Sequence, residues 1–315
     1  MLKVGVLRGG MEKEFEKSME DGSTFINAIR KNFAEEIEPI DIVLSKGGEW
    51  LRRGVSIDPR SLAHEVDVLF NSLKGELAHS GFLADTLRDF GIKTNGADRT
   101  SSVIANNSVM FDDYIRSMGE NPLTREKISI SDYDSFENKY LEMARFISAK
   151  YSPPWIIKPV HSFGRDEWRA KSFPQLVSVL EEFFQNYQEG IVEEWNSGER
   201  LRVGVFENFR GEELYTLPIM LCEDESGNLK KCPHVLDRNL AEEIKEKTKN
   251  IFKSLGIRGH AFFDLKVHPK RGVFFDRVDT GLSFGEDEHL LKSMQSVGVG
   301  EKELLNYIIK DICRR

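Results

Sequence analysis

Three short apolar runs in the first hundred residues constrain the fold most strongly. The runs KVGVL (3–7), IDIVL (40–44) and VDVLF (66–70) have the length and composition of buried strands. A glycine turn and a charged helical stretch follow the first run, and a glycine-containing loop and a helix follow the third. Strand, loop and helix in repetition predict a parallel, doubly wound α/β unit over residues 1–97.

The remaining two thirds of the chain predict a mixed α+β organisation. An amphipathic helix is expected at about 136–150, followed by the strands WIIKPV (155–160) and IVEEW (191–195). The segment GHAFFDLKVHPKRGVFFDRVD (259–279) alternates apolar and polar residues on both sides of a Pro-Lys-Arg-Gly turn. That pattern predicts a β-hairpin, so the chain as a whole is expected to be a multidomain α/β and α+β protein.

Composition excludes several classes of protein. The chain has 315 residues, of which 40% are hydrophobic, and its net charge is −8. The acidic balance argues against nucleic acid or an anionic membrane as the main partner, and no apolar run approaches the roughly 20 residues of a membrane helix. Three scattered cysteines give no disulfide framework, and the opening MLKVGVLRGG predicts a strand rather than a signal peptide, so a cytoplasmic location is expected.

Lys158 is the first residue with chemical promise. It stands near the end of the predicted strand WIIKPV, before a loop that contains Gly164. An ammonium group in that place can bind a phosphate. On the tetrapeptide alone, a lysine that leaves the sheet for solvent is the more common case.

The predicted hairpin carries three aspartates. Asp264 and Asp279 are expected near one end and one face of the paired strands, where two carboxylates make a Mg²⁺ site. Asp276 is three residues from Asp279, an odd offset that places the two on opposite faces of a regular strand. Ordinary solvent-facing aspartates give the same pattern.

The strand IVEEW offers a possible adenine site. Its backbone can present N–H and C=O groups to a flat heterocycle, while Glu193 accepts a hydrogen bond from an exocyclic amine. An acidic pair at a strand end is more often simply solvated.

The order of these parts, strand-Lys-Pro-loop, then VEEW, then a hairpin with aspartates, resembles that of ATP-grasp enzymes. The chain also resembles D-alanine–D-alanine ligases over nearly all of its length. The similar segments are VLRGGMEKEFEKSMEDG, VDVLFNSLKGELAHSGFLADTLRDFGIKTNGADRTSSVIANN, and SLGIRGHAFFDLKV with the following RVDTG.

The resemblance implies an ATP-grasp fold in three parts: an N-terminal α/β substrate domain at 1–97, a central lobe at 98–190 and a C-terminal lobe with the metal hairpin at 191–315. ATP would lie between the last two. The implied reaction is ATP-dependent joining of a carboxylate to an amine through an acyl phosphate, with D-alanine or a related amino acid as substrate, in the synthesis of peptidoglycan precursors. The implied assembly is a homodimer.

The resemblance also assigns roles to individual residues. The positions it makes catalytic are Glu14, which would hold the ammonium of the first substrate, and Ser162 in the loop over the phosphates. The positions it assigns to the nucleotide are Lys158, Gly164, Glu193, Glu194 and Trp195. The positions it assigns to Mg²⁺ are Asp264 and Asp279, with Asp276 in the role of the family's bridging glutamate if the register shifts by one residue.

Many positions depart from the family pattern. A nucleotide-binding lysine is replaced by Asn107, a histidine by Lys74, an active-site arginine by Phe262 and the bridging metal glutamate by Arg277. The Glu-Asp pair of a substrate loop becomes His79 and Ser80, and the ribose-binding glutamate becomes Arg200 beside Glu199. New positive charges at Arg165, Arg169 and Arg200 are candidates for partial compensation.

A mobile lid with a Lys-Tyr pair is also missing, because LPIMLCEDESGNLKKCPHVL passes directly to Cys232-Pro233. A lid protects an acyl phosphate from water. Loss of a lysine, an arginine and a glutamate would cost on the order of four to six decades in rate if nothing compensated. Two hypotheses therefore stand: a weak or altered ligase, and a non-catalytic relative that binds a nucleotide, a metabolite or a protein.

Overall fold

The structure is a computed structural model that describes residues 1–11, 13–161, 167–194, 198–222, 229–282, 284 and 288–315. The chain divides into two compact units. The first unit comprises Met1–Val103, Leu201–Phe263 and Val278–Arg315, and the second comprises Ile104–Arg200 and Asp264–Arg277. The three-part division that the resemblance implies stays a prediction.

The secondary structure elements are numbered in chain order. The strands are β1 (Leu2–Gly9), β2 (Ile37–Leu44), β3 (Trp50–Arg52), β4 (Val55–Ser56), β5 (Val68–Asn71), β6 (Arg125–Ser129), β7 (Trp155–Pro159), β8 (Trp168–Ala170), β9 (Glu189–Glu194), β10 (Glu199–Phe209), β11 (Glu212–Thr216), β12 (Met220–Cys222), β13 (Leu229–Lys231), β14 (His260–His268) and β15 (Gly272–Asp279). The α-helices are α1 (Phe15–Phe33), α2 (Glu76–His79), α3 (Phe82–Asp89), α4 (Arg99–Ala105), α5 (Ser108–Ser117), α6 (Lys139–Lys150), α7 (Phe173–Phe183), α8 (Arg238–Ser254), α9 (Glu288–Ser296) and α10 (Glu301–Arg314). Short 3₁₀ helices lie at Pro59–His64 and Ile130–Tyr133.

The N-terminal sheet of the first unit has the order β4-β3-β2-β1-β5. Strand β1 pairs in parallel with β2 and with β5, while β3 and β4 add an antiparallel edge. Helix α1 buries Phe25 and Ile29 in the same apolar core as Val4 and Phe70 of the sheet. The α/β organisation predicted for the first hundred residues is confirmed.

The second unit contains a four-stranded antiparallel sheet in the order β6-β9-β7-β8. Side chains such as Trp155, Ile157 and Val192 share an apolar core with Met143 of α6 and Leu180 of α7. Since side chains alternate between the faces of a strand, the residues between these apolar positions lie on the opposite face. That opposite face carries the charges described below.

Strand β6 lies in a stretch that the sequence predicted only as polar and charged. Its sequence REKIS contains a single apolar residue, Ile128, which is buried. Because β6 is at the edge of its sheet, polar side chains there are compatible with strand pairing. This strand therefore gives little hydrophobic signal in the sequence.

The third sheet has the order β13-β12-β10-β14-β15, with β11 paired to β10. Strands β14 and β15 are neighbours joined by residues 269–271, as the hairpin prediction requires. Among the helices of the described ranges, none is both long enough and apolar enough to cross a membrane.

Candidate functional site

Strand register brings three charged residues onto one face of the four-stranded sheet. Glu193 of β9 lies directly opposite Ile156 of β7 and Arg125 of β6. Lys158 is two residues from Ile156 and so shares its face, diagonal to Glu193. Arg125, Lys158 and Glu193 are therefore neighbours because of pairing alone.

The Glu193 carboxylate is fully buried between two lysines. Its Oε2 lies 2.5 Å from Nζ of Lys158, and its Oε1 lies 3.4 Å from Nζ of Lys266 in β14. Burial alone would raise the pKa of Glu193, but the charges of Lys158 and Lys266 outweigh it and lower that pKa to about 2. Burial lowers the pKa of Lys266, whose side chain is 1% exposed. The Glu193 carboxylate thus contacts the ammonium group of Lys158 and orients it.

Asp276 of β15 forms a second buried anionic centre. Its Oδ1 lies 3.1 Å from Nη1 of Arg125, and its Oδ2 lies 3.5 Å from Nη2 of Arg200. Arg125 is held in turn by Asp112 of α5, whose Oδ2 accepts from Nε at 2.6 Å. Burial opposes ionisation of Asp276, yet the lysines and arginines around it hold its pKa well below the usual 3.8.

We call Lys158, Lys266, Arg125 and Arg200 the cation cluster. Two of its members reach solvent, because the side chains of Lys158 and Arg200 are 16% and 10% exposed. Lys266 and Arg125 lie beneath, with 1% and 3% exposure. Ammonium and guanidinium groups held in this way are suited to bind a phosphate or carboxylate.

The carboxylates expected to bind Mg²⁺ contact arginines. Within the second unit, Asp264 Oδ2 accepts from Nε of Arg277 at 2.7 Å, and Asp276 contacts the cation cluster. Within the first unit, Asp279 Oδ2 lies 3.0 Å from Nη2 of Arg202. No group of three or more His, Cys, Asp or Glu side chains in the described part of the chain could hold a metal ion. Each of the three carboxylates that the resemblance assigns to Mg²⁺ is thus engaged by at least one guanidinium group.

A small cavity of about 90 Å³ lies in the first unit. Its walls include Lys74, His79, Asn95, Asp279 and Thr280, which offer both positive and negative charge together with amide and hydroxyl groups. An amino acid carries one charge of each sign, so a cavity of this size and lining is suited to a small zwitterion. A Cβ at Gly281 beside it would lie 2.3 Å from Cε1 of His79, so a larger residue there would displace the His79 side chain.

Lys74, which replaces the family histidine, is held by a buried carboxylate. Its Nζ lies 3.1 Å from Oδ2 of Asp21 in α1, and Asp21 is fully buried. The other oxygen of Asp21 accepts from the backbone N–H of Phe284 at 2.7 Å. The change at position 74 is thus matched by a partner on a different element of the same unit.

Another arginine, Arg202, lies beside Phe262, the residue that replaces the family's active-site arginine. The guanidinium carbon of Arg202 lies 4.9 Å from the ring centroid of Phe262, a cation–π distance. Arg202 is 1% exposed and also contacts Asp279. The first unit therefore retains a buried arginine next to the substituted position.

The remaining positions singled out in the sequence make local contacts or lie outside the described residues. Glu14 is half-buried at the start of α1, where its carbonyl accepts from the N–H of Ser18. Asn107 caps α5, since its side chain accepts from the N–H groups of Val109 and Met110. Arg169 pairs with Glu167.

Glu194 belongs to β9, but its side chain is not described. Three predicted positions and one candidate for compensation lie outside the described residues: Ser162, Gly164, Trp195 and Arg165. Most of the turn where the lid is missing, residues 223–228, also lies outside them.

Several charged residues at the site were not predicted from the sequence. Arg125 and Asp112 lie in stretches without a recognisable motif, and Asp21 has the sequence context of a surface helix. Lys266 lies in the predicted hairpin, but alternation put it on the polar face and gave no sign that it is buried beside a carboxylate.

Comparison with known proteins places the fold. The VanG D-Ala:D-Ser ligase of Enterococcus faecalis matches with a TM-score of 0.80 at 21% identity, over 99% of each chain. The D-alanine–D-alanine ligase of Bacillus anthracis, solved in complex with ATP, matches with a TM-score of 0.77 at 21% identity, over 100% of this chain and 98% of that one. The fold is accordingly the ATP-grasp fold of these ligases, as predicted.

Sequence comparison gives the family. Residues 123–310, more than half of the chain, match the family profile described as D-ala D-ala ligase C-terminus. The chain is 29% identical to the D-alanine–D-alanine ligase of Fervidobacterium nodosum, over 99% of both proteins, and 21% identical to that of Clostridium beijerinckii, over 98% of both. This chain belongs to the D-alanine–D-alanine ligase family.

Proposed function

We propose that the chain is an ATP-dependent carboxylate–amine ligase that acts on D-alanine or a closely related amino acid. The observation that carries the proposal is the cation cluster: Lys158 stands where the resemblance puts the phosphate-binding lysine, and it is held by a buried glutamate. The alternative, a non-catalytic binding module, is not favoured, because the relatives that match the whole chain are named as ligases.

The proposed reaction proceeds in two steps. A carboxylate oxygen of the first amino acid attacks the γ-phosphorus of ATP, ADP leaves, and an acyl phosphate forms. The amine of the second amino acid then attacks the carbonyl carbon, inorganic phosphate leaves, and an amide bond remains. Lys158 and Arg200 would bind the phosphate oxygens and stabilise the charge that develops on them.

The cavity of the first unit supports the choice of a small amino acid. Lys74 and His79 supply positive charge for a carboxylate, and Asp279 supplies negative charge for an ammonium group. A cavity of about 90 Å³ leaves room for a short side chain. Glu14 as a further ligand of the ammonium, and assembly as a homodimer, remain predictions of the resemblance.

Turnover should be slow, because Asn107, Phe262 and Arg277 replace family residues. The test is to incubate the protein with ATP and D-alanine and to measure both inorganic phosphate and dipeptide. We expect D-alanine-dependent release of phosphate with equimolar dipeptide, at less than about 1 per second. Phosphate release that does not depend on D-alanine, or none at all, would overturn the proposed function.

A further inference from the structure

The charges around the hairpin of the second unit differ from those of a magnesium site. Arg277 occupies the position that the resemblance gives to the bridging glutamate, and its guanidinium bonds to Asp264 at 2.7 Å. A glutamate replaced by an arginine changes the local charge by two, which is the charge of one Mg²⁺ ion. Arg277 alone therefore gives this position the same net charge as a glutamate with a bound Mg²⁺ ion.

The geometry opposes metal binding at the same place. Mg²⁺ requires near-octahedral oxygen ligands at short distance and uses one or two carboxylates together with phosphates. Both oxygens of Asp276 face guanidinium groups, of Arg125 and of Arg200, and an oxygen of Asp264 faces Arg277. A guanidinium is never deprotonated in proteins, so its charge is permanent. A divalent cation at either carboxylate would have to displace a hydrogen bond and approach that charge.

The partly exposed cationic side chains of the second unit are suited to bind phosphate. The Arg277 side chain is 21% exposed and that of Lys158 is 16% exposed, so both can reach a ligand. Lys266 is more deeply buried, and its contact with Glu193 fixes its position. Asp276 in turn fixes the guanidinium groups of Arg125 and Arg200, which lie 3.1 Å and 3.5 Å from its two oxygens.

We propose that Arg277, paired with Asp264, takes the place of a divalent cation, and that the phosphates of a nucleotide bind to the arginines and lysines of the second unit without magnesium. The proposal rests on the proposed function, since it takes a nucleoside triphosphate as the ligand. Its signature is that ATP binds at least as tightly when metal ions are removed.

The first experiment is calorimetric titration of the wild-type protein with ATP, once in excess EDTA and once in excess magnesium chloride. We expect the affinity in EDTA to equal or exceed that in magnesium. Binding that is tighter in magnesium by more than about tenfold would overturn this inference and leave the proposed function intact. Absence of nucleotide binding in both solutions would overturn the proposed function and this inference with it.

The second experiment restores a carboxylate at the hairpin by Arg277→Glu. We expect this variant to lose at least about tenfold in ATP affinity in EDTA, to regain affinity on addition of magnesium, and to bind Mn²⁺ with nucleotide in a spin-resonance titration. Arg271→Glu is the matched control, because it makes the same charge change at an exposed position of the same hairpin.

The control should bind ATP as the wild type does, with and without metal. Mn²⁺ binding by the wild type at the same stoichiometry as by Arg277→Glu would contradict the proposal. Should Arg277→Glu fail to fold, Arg277→Lys keeps a positive charge, and we expect it to retain binding in EDTA; a requirement for magnesium in that variant would overturn the proposal.

Discussion

The cavity of the first unit and the cation cluster of the second differ in how their charges are balanced. In the second unit, Glu193 and Asp276 are buried among lysines and arginines and fix their positions. In the first unit, Lys74, His79 and Asp279 surround an open cavity of about 90 Å³. Buried carboxylates thus hold the cluster, which we propose as an anion site, whereas the charged residues Lys74 and Asp279 line an open space and also pair with Asp21 and Arg202. Substitutions in the two regions should therefore have different consequences.

The largest effect is expected from Glu193→Gln. Removal of this carboxylate takes away the buried group that contacts both Lys158 and Lys266, so the free energy of unfolding should fall by about 3–5 kcal/mol. The measurement is urea unfolding at neutral pH. Glu189→Gln in the same strand is the control, since Glu189 and Lys127 are each 44% exposed and such a pair contributes at most about 1 kcal/mol. Equal losses in the two variants would show that the cluster does not depend on its buried anion.

Acid should act on the two units over different pH ranges. Burial lowers the pKa of His260 in the first unit to about 4, so the folded protein keeps this ring neutral while the unfolded chain protonates it below about 6.5. The unfolded state then binds more protons, and stability should fall by about 3 kcal/mol as the pH drops from 6.5 to 4. For Glu193, whose pKa is lowered to about 2, the corresponding loss begins below about 4.5.

The measurement is the free energy of unfolding at a series of pH values for the wild type and for His260→Gln. The variant should lose the dependence between pH 6.5 and 4 and keep the steeper loss at lower pH. His64→Gln is the control, because His64 is exposed and its removal should leave the curve unchanged. An unchanged curve in His260→Gln would mean that the imidazole can protonate in the folded protein.

Lys158→Ala should separate the two regions by their ligands. A ligand that binds the folded state alone at one hundred times its Kd stabilises that state by about 2.7 kcal/mol. The variant should lose most of this stabilisation by ATP and keep its response to D-alanine. Lys127 is an exposed lysine in β6 of the same sheet, and Lys127→Ala should respond to both ligands as the wild type does. Undiminished stabilisation of Lys158→Ala by ATP would place the nucleotide elsewhere.

The smallest effect is expected from Gly281→Ala. Its methyl group would lie 2.3 Å from Cε1 of His79, so the ring must move and the cavity must change shape. D-alanine affinity should fall about tenfold, or 1.4 kcal/mol, while ATP affinity should not change. Calorimetric titration with each ligand is the measurement, and Gly300→Ala, where a Cβ meets nothing within 4 Å, is the control. A loss confined to ATP would reverse the assignment of the cavity.

The fold and part of the site could be predicted from the sequence. Apolar runs and glycine turns identify the first sheet, and alternation identifies the hairpin, because both depend on local periodicity. Lys158 and Glu193 could be selected from their strands. Their partnership could not be predicted, because it depends on the register of β7 with β9.

Ion pairs between residues far apart in the chain could not be predicted from the sequence. Arg277 was recognised as a departure, but its contact with Asp264 follows from the pairing of two strands. Lys74 was likewise recognised, but its partner Asp21 lies 53 residues away in a helix. Each substitution, taken alone, resembled a loss of function, whereas its neighbour shows how the charge is accommodated.

Transfer of isotope from the substrate carboxylate to phosphate tests the central claim most directly. D-alanine labelled with oxygen-18 in its carboxylate is incubated with ATP and the wild-type protein, and the inorganic phosphate is analysed by mass spectrometry. A ligase that forms an acyl phosphate transfers one labelled oxygen to phosphate for each dipeptide made, and this is the expected result. ATP binding accompanied by neither dipeptide nor labelled phosphate would contradict the account and leave a nucleotide-binding protein without ligase activity.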